Sequence, residues 1–502
     1  MLSAYTSDEI RVAERALMAL LPEGTLMSRA ATGLAVACAE AVPRVYGARV
    51  VLLVGSGDNG GDALYAGAVL ARRGARVRAV LAGSRTHEGG LAALTRAGGR
   101  SLDLREAAGG PESDPVLRGL IDGAEVLVDG LVGIGGTGAL REPYAALARL
   151  TATAPGVVVA VDVPSGVDAS TGEVRGDAVR AHLTVTFGAA KPGLLIDPGA
   201  GHVGGLRVVD IGLRPHLPAP GVAAFDGPDV AGRLPRAAAE SNKYRRGVVG
   251  VVAGSDRFTG AAVLTVGGAV RAGAGLVRFA SAEEPVRQVR ARWPEAVTSV
   301  VTPEDGVTGA GRVQCWVVGP GMGTGDDAHA LAASALAADV PALVDADGLT
   351  LAARDRSLLR RSAPTVITPH TGELGRLLGV PSDDIEARRL YFARRAAAEL
   401  GVTVLLKGST TLVAEEGGPV LVNVTGTPWL ATGGTGDVLA GICGAFLAGG
   451  MSTRDAASCA AYLHGLAGRA AAGGPRGGEA PIAALDVARE LPGVIRSLVA
   501  GG

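Results

Sequence analysis

At 502 residues the chain is too long for one ordinary hydrophobic core, so two domains are the default expectation. Its 48 basic and 49 acidic residues leave a net charge of -1, which gives no general attraction to nucleic acid or to anionic lipid. No apolar run approaches the roughly 18 residues of a membrane span, and the start "MLSAYTSDEIRVAERALMALL" lacks the basic region of a signal peptide, so a soluble, cytoplasmic protein is expected.

The chain opens with a helix-like segment capped by Thr6 or Ser7, then "GARVVLLVGSGDNGGDALYAGAVLARRGARVRAVLAG" reads as strand, glycine loop, helix and strand. Further short Val-rich strands follow at "AEVLVDGLVGIGGTG", "GVVVAVDVPSGVD" and "AHLTVTFGAAKPG", which predicts a parallel sheet covered by helices. Between residues 212 and 235 the pattern lapses into proline-rich sequence, the best place for a boundary. Residues 1–213 are therefore read as one domain, 214–221 as a linker and 222–502 as a second α/β domain. Its strands are expected at "GVVGVVAGS", "GLVRFAS", "VQCWVVGPGMG", "VPALVDADGL", "PTVITPHTGE" and "VTVLLKGSTTLVAEE".

Cys38, Cys315, Cys443 and Cys459 stand far apart in apolar stretches, so buried reduced thiols are expected, and no histidine pair has zinc-ligand spacing. Lysine and asparagine are both scarce: Lys191, Lys243 and Lys407, with Asn59, Asn242 and Asn423, are all the chain has. Where arginine or aspartate would serve, such a chain uses them, so these six residues are expected to mark places where no substitute works.

"GSGDNGGDA" holds a literal GxGxxG (Gly55, Gly57, Gly60) between a strand and a helix, yet the acidic residue that a dinucleotide fingerprint requires after the next strand is missing. Asn59, Gly60, Gly61 and Asp62 would instead offer backbone N–H groups and two polar side chains to a phosphate or polar ligand. A tight turn with Asp62 as a cap would use the same residues. "AVDVPSGVD" sets Asp162 at the carboxyl end of a buried strand, where it could act as acid or base or merely cap a turn. Asn59, Asp129 and Ser165 could offer oxygen ligands to a cation.

In "TGGTGD" the N–H groups of Thr435, Gly436 and Asp437 face one spot before an apolar helix, an anion hole suited to a phosphoryl group, with Asp437 placed to receive a hydroxyl proton. "LLKGSTT" joins Lys407 to a polar turn suited to a nucleotide, while His370 in "ITPHTGE" reads more readily as structural.

Taken together, "GDNGGDA", "DGLVGIGGTG", "DVPSG", "KPG" and "DIGL" resemble the N-terminal domain of NAD(P)H-hydrate epimerases. Asp58 and Ala63 stand where that pattern has Asn and Gly. The resemblance implies a Rossmann-like domain whose hydrate ligand contacts Asp58, Asn59, Gly60, Gly61, Asp62, Gly133, Ile134, Gly135, Gly136, Thr137, Gly138, Ala139 and the catalytic Asp162. It further implies a potassium ion on Asn59, Asp129 and Ser165.

The second set, "GSDRFTGA", "GPGMG", "VDADGL", "TPHTGE", "LKGSTT" and "NVTGTPWLATGGTGDVL", is similar to the ribokinase-like, ADP-dependent NAD(P)H-hydrate dehydratases. Here Thr371 and Val424 replace prolines, and Asn242 stands where histidine is frequent. The resemblance implies that Ala261, Gly321, His370 and Asp437 contact the hydrate, that Lys407, Gly408, Ser409, Thr410, Thr411 and Gly436 hold the adenine nucleotide, and that magnesium accompanies ADP.

The two halves would then form a repair pair acting on NADHX and NADPHX, the hydrated cofactors. The first half would exchange the C6 epimers and the second would dehydrate one of them, in a chain expected to be a homo-oligomer. A small-molecule kinase, suited by "GGTGD" alone, and a non-enzymatic N-terminal binding module are the competing readings.

Overall fold

The computed structural model describes residues 1–104, 110–235, 242–473 and 478–501. It divides into two compact units, Ser3–Val222 on one side and Met1–Leu2 with the chain from Ala223 onward on the other. The sequence reading gave residues 1–213 to the first domain. In the structure Met1–Leu2 go with the second unit, where the Met1 ammonium meets Asp226 at 2.6 Å and Asp229 at 2.8 Å.

In chain order the strands begin with β1 (Leu2–Ala4), β2 (Arg49–Val54), β3 (Arg76–Leu81), β4 (Arg100–Asp103), β5 (Val126–Gly130), β6 (Val157–Val161), β7 (Leu183–Phe187) and β8 (Gly205–Val209). The first unit's sheet has seven strands in the order β4-β3-β2-β5-β6-β7-β8, every neighbour parallel. β2 is buried at five of its six positions, and β5 at all of its five, because helices cover both faces of a parallel sheet. The order reverses between β2 and β5, and at that reversal the loops after adjacent strands part and leave a crevice.

The remaining strands are β9 (Val222–Ala224), β10 (Val248–Val252), β11 (Leu276–Ser281), β12 (Val297–Val300), β13 (Cys315–Val318), β14 (Ala342–Val344), β15 (Thr365–Ile367), β16 (Thr403–Leu406), β17 (Thr411–Ala414) and β18 (Val420–Asn423). Their sheet has eleven strands in the order β1-β9-β18-β17-β16-β15-β14-β13-β10-β11-β12. From β12 to β16 the pairing is parallel, with the reversal between β10 and β13, and β16, β17 and β18 pair antiparallel.

Two features refine the sequence reading. The proline-rich lapse at 212–235 contains β9 and a helix, Gly227–Arg233, whose Asp226 and Asp229 form a capping box; elements this short show no periodicity. "VTVLLKGSTTLVAEE" holds two four-residue strands, one on each side of the expected polar turn and paired as a hairpin.

The helix Thr435–Ala448 is buried at twelve of its fourteen positions, as an apolar sequence without a polar face requires. It packs on the helix Thr259–Arg271 at backbone contact. A Cβ at Gly441 would overlap the Thr265 carbonyl, and one at Gly268 the Val438 carbonyl. Gly441→Ala is expected to cost about 1–3 kcal/mol through overpacking, read as a lower midpoint in thermal or denaturant unfolding. An unchanged midpoint would contradict this packing. All four cysteines are buried and free.

Candidate active sites

The first site forms at the carboxyl ends of β2, β5 and β6. Gly55 follows β2 and admits no side chain, because a Cβ would overlap the Leu131 carbonyl. Helix Asp58–Arg72 then begins at once, burying Asn59, Gly60, Gly61 and Asp62 in its first turns while Asp58 stays exposed. Gly60 serves close strand-to-helix packing in the same way, since a Cβ there would overlap the Gly55 carbonyl, whereas Gly57 stands open.

Asp162 ends β6 with φ 66°, an uncommon conformation for a residue with a side chain and one retained at functional positions. Its Oδ1 accepts from Thr186 Oγ1 at 3.0 Å, from the Phe187 N–H at 3.2 Å and from Lys191 Nζ at 2.5 Å. Lys191 is only 1% exposed and also donates to Thr186 Oγ1 at 2.8 Å and to the Phe187 carbonyl at 3.0 Å. A buried ammonium with three oxygen partners is stable only as a paired charge. Lys191 is a site residue that the motif reading quoted within "KPG" but gave no role. Its scarcity was the available signal.

Asp62 is buried, and its carboxyl is pushed well above the usual range by desolvation and then by the charges of Asp162, Asp58 and Glu14. Glu14, on the N-terminal helix Ser7–Met18, is also raised, by desolvation first and by Asp162 next. The same helix reaches the glycine loop through Arg11, whose Nη2 donates to the Ile134 carbonyl at 3.2 Å. That loop turns on a hydrogen bond from Gly136 N–H to Gly133 O at 3.0 Å and leaves Gly135, Thr137, Gly138 and Ala139 exposed. Glu14 was missed because nothing in the spacing of an amphipathic helix shows which acid turns inward.

Asp129 is fully buried at the end of β5 and accepts from Ser165 Oγ at 2.6 Å and Ser165 N–H at 2.8 Å. Desolvation still raises it to about 6. The Asn59 amide nitrogen is buried without a partner among the described residues, and a Cβ on Gly133 would meet the amide oxygen at 2.8 Å. An amide, a carboxylate and a hydroxyl are a donor set that suits a cation with oxygen ligands.

The second site lies at the carboxyl ends of β10, β13, β14, β15 and β16. Gly321, after β13, and Ala261, in the helix after β10, are brought together so closely that a Cβ on Gly321 would sit 2.7 Å from that of Ala261. Asp345, after β14, is 1% exposed and accepts from Lys407 Nζ at 2.8 Å, with Glu373 Oε2 3.7 Å away from the same ammonium. Burial pulls the Lys407 pKa down, but the two carboxylates outweigh it and leave it raised.

Asp437 sits in the first turn of helix Thr435–Ala448, with Lys407 nearby. Desolvation, followed by the charge of Asp345, raises its carboxyl to about 7, although Lys407 pulls the other way. A Cβ on Gly436 would be 3.5 Å from Lys407 Nζ, so the glycine turn and the lysine share one small space. His464 is buried, which lowers it to about 4 and leaves it neutral, so its Nε2–H donates to the Thr435 carbonyl at 2.9 Å and braces the turn.

His370 caps helix Thr371–Leu378. Its Nδ1 accepts from Gly372 N–H at 3.0 Å and Glu373 N–H at 3.4 Å, and its Nε2 lies 3.6 Å from Glu373 Oε1. Gly408 and Ser409 are exposed at the turn after β16, whereas Thr410 is buried and Thr411 starts β17. Among the described residues no three histidine, cysteine or acidic side chains converge as a metal site. Magnesium here would enter on nucleotide phosphates.

Comparison with known proteins bears on both sites. Residues 23–193 match the family described as YjeF-related protein N-terminus, and residues 249–485 match the family NAD(P)H-hydrate dehydratase. A bifunctional NAD(P)H-hydrate repair enzyme of Mycobacterium leprae is 46% identical over 488 residues, 96% of each chain. Its counterpart in Mycobacterium tuberculosis is 46% identical over 461 residues, covering 90% of this chain and 91% of that one. An ADP/ATP-dependent NAD(P)H-hydrate dehydratase from Bacillus subtilis, crystallised with ATP and Mg2+, superposes with a TM-score of 0.50 at 30% identity, over 55% of this chain and 99% of its own. A ribokinase-like superfamily protein from Enterococcus faecalis gives 0.51 at 26%, over 55% and 96%. With both halves matched in order and 96% of the length shared, the chain belongs to the family of bifunctional NAD(P)H-hydrate repair enzymes.

Proposed function

We propose that Asp437 is the base of the dehydration and Asp162 the acid/base carboxylate of the epimerisation, each in its own half of the chain. The observation that carries the first assignment is the place of Asp437 in the first turn of a helix whose N–H groups can receive a transferring phosphate, with Lys407 against the same glycine turn; the carboxyl's rise to about 7 agrees with it. Asp437 takes the proton of the C6 hydroxyl as its oxygen bonds to the β-phosphorus of ADP and AMP leaves. Phosphate then departs from C6, pushed by the ring nitrogen, and loss of a C5 proton closes the ring double bond. Ala261, Gly321 and His370 line the hydrate side, while Lys407 to Thr411 and Gly436 hold the nucleotide with its magnesium.

In the first half, nitrogen push expels the C6 hydroxyl reversibly and water returns on either face, with Asp162 moving the proton and Asp58 to Asp62 and Gly133 to Ala139 holding the hydrate. The assay is direct. With (S)-hydrate, ADP and magnesium, one AMP and one phosphate are expected per NADH formed. A stable phosphorylated hydroxyl compound would instead support a kinase.

Potassium belongs to the Asn59, Asp129 and Ser165 oxygens in this reading. An ion binds the ionised form of Asp129, whose proton is held up to about 6 without it. The raised pKa means that Asp129 costs stability as pH rises through about 6, and a cation removes that cost. Potassium at about a hundredfold above its Kd is therefore expected to stabilise the first unit by about 2–3 kcal/mol at pH 8 and by less at pH 5. A thermal midpoint indifferent to potassium at both values would contradict the site. A cytoplasmic, symmetric homo-oligomer completes the proposal.

A further inference from the structure

Arg389 opens the helix Arg389–Leu400 and is 1% exposed, the largest of the fully buried side chains among the described residues. Hiding a guanidinium from water is costly unless its charge and most of its donors are matched, because the charge cannot be shed. Here Nη1 donates to Glu386 at 2.9 Å, and Nη2 is directed at the carbonyls of Lys407 at 3.0 Å, Thr410 at 3.1 Å and Leu406 at 3.4 Å, while Nε is buried without a partner among the described residues. These carbonyls bracket the exposed turn of Gly408 and Ser409. Gly408 lies directly against the guanidinium, where a Cβ would overlap Nη2.

The geometry has a consequence for the other side of the turn. In a planar trans peptide the carbonyl and the following N–H point in opposite directions. Capture of the Lys407 carbonyl by Arg389 therefore turns the Gly408 N–H away from the guanidinium, toward the open face of the turn. We infer that Arg389 is the positioning residue of the nucleotide site: by holding the carbonyls of the Lys407–Thr410 turn it fixes the Gly408 N–H as a donor to the adenine nucleotide. This rests on the assignment of that turn to the nucleotide. Arg389 touches no reacting atom in this account, so it governs the affinity for ADP and leaves the chemical step to Asp437.

The test uses full-length Arg389→Met, Arg389→Lys, Gly408→Ala and Ser409→Ala proteins. For each, the KM for ADP, the KM for (S)-NADH hydrate, kcat, the thermal midpoint and the rate of epimer exchange are measured. Epimer exchange reports the other half of the same chain and shows whether the preparation is intact. Arg389→Met is expected to raise the ADP KM about tenfold or more, with kcat and the hydrate KM changed far less. Arg389→Lys restores part of the affinity, because the charge remains but the fork is lost. Gly408→Ala, which displaces the guanidinium without removing it, should give the same ADP-specific defect even if Arg389→Met folds poorly.

A joint fall of kcat and thermal midpoint with a rise of both KM values in the Arg389 and Gly408 variants would overturn the inference and make Arg389 a core residue only. So would an unchanged ADP KM in those variants while Ser409→Ala raises it. If Ser409→Ala leaves the ADP KM unchanged as well, the nucleotide assignment itself falls, and the role of Arg389 with it.

Discussion

Asp437→Asn is expected to slow dehydration about 1,000-fold while leaving epimer exchange untouched. The amide keeps the shape of the side chain but cannot take the C6 hydroxyl proton, so ADP and hydrate affinities should hold and kcat should fall. The pH dependence follows from the same carboxyl. Burial and the neighbouring Asp345 charge hold it at about 7, and only its ionised form is a base. For wild type, kcat/KM of dehydration should rise with pH through about 7 and level off above it. Stability runs the other way. A carboxyl whose folded pKa is raised contributes fully below its unfolded value near 3.8 and loses that contribution as pH rises through about 7. Asp437→Asn should thus be more heat-stable than wild type at pH 8, and the difference should vanish near pH 4. A variant that keeps its rate, or a wild-type profile flat from pH 5 to 8, would remove Asp437 from the base role.

The second large effect belongs to the buried pair in the other half. Lys191→Met is expected to abolish detectable epimer exchange and to destabilise the first unit by about 3–5 kcal/mol, because Asp162 would be left as an uncompensated buried charge. Lys191 is 1% exposed and its contact with Asp162 Oδ1 is 2.5 Å, so water cannot replace it without opening the loop after β7. Asp162→Asn/Lys191→Met should recover much of that stability by removing both charges, yet remain inactive. Denaturant unfolding and epimer-resolved chromatography separate the two effects. Full exchange activity in the double variant would show that neither group moves the proton.

The sequence made some of this legible because the relevant residues were local. Strand, glycine turn and helix follow one another without interruption around Gly55 and Asp62, and the apolar run after Asp437 could only be a buried helix. Asp162 and Asp437 stand at strand or helix ends that period and glycine placement reveal. The scarce residues also carried information. Lys191, Lys407 and Asn59 fall in the two sites, and Asn423 braces a turn through Ala461 and Thr425. Asn242, in contrast, caps an exposed turn by accepting from Tyr244 and Arg245.

What stayed hidden depends on neighbours brought from elsewhere in the chain. Glu14 reaches the first site from the opening helix, and Arg389 sits in a run with Arg388, Arg394 and Arg395 that reads as an ordinary charged helix face. Only the placement of β16 and its turn over that helix makes one of these arginines fully buried. Length alone did not hide β9 and β18, since β14 and β15 are as short but run into the motifs "VDADGL" and "TPHTGE", whereas no such motif follows β9.

The most direct measurement gives wild-type and Asp162→Asn protein an equal mixture of the two C6 epimers of NADH hydrate with excess ADP and magnesium, and follows the near-ultraviolet absorbance of regenerated NADH. The account predicts that wild type converts the whole mixture, whereas Asp162→Asn converts half in a fast phase and then stalls. Wild type that also stalls at half would contradict epimerisation by this chain. No NADH at all, with a phosphorylated hydroxyl compound accumulating, would contradict the repair function itself.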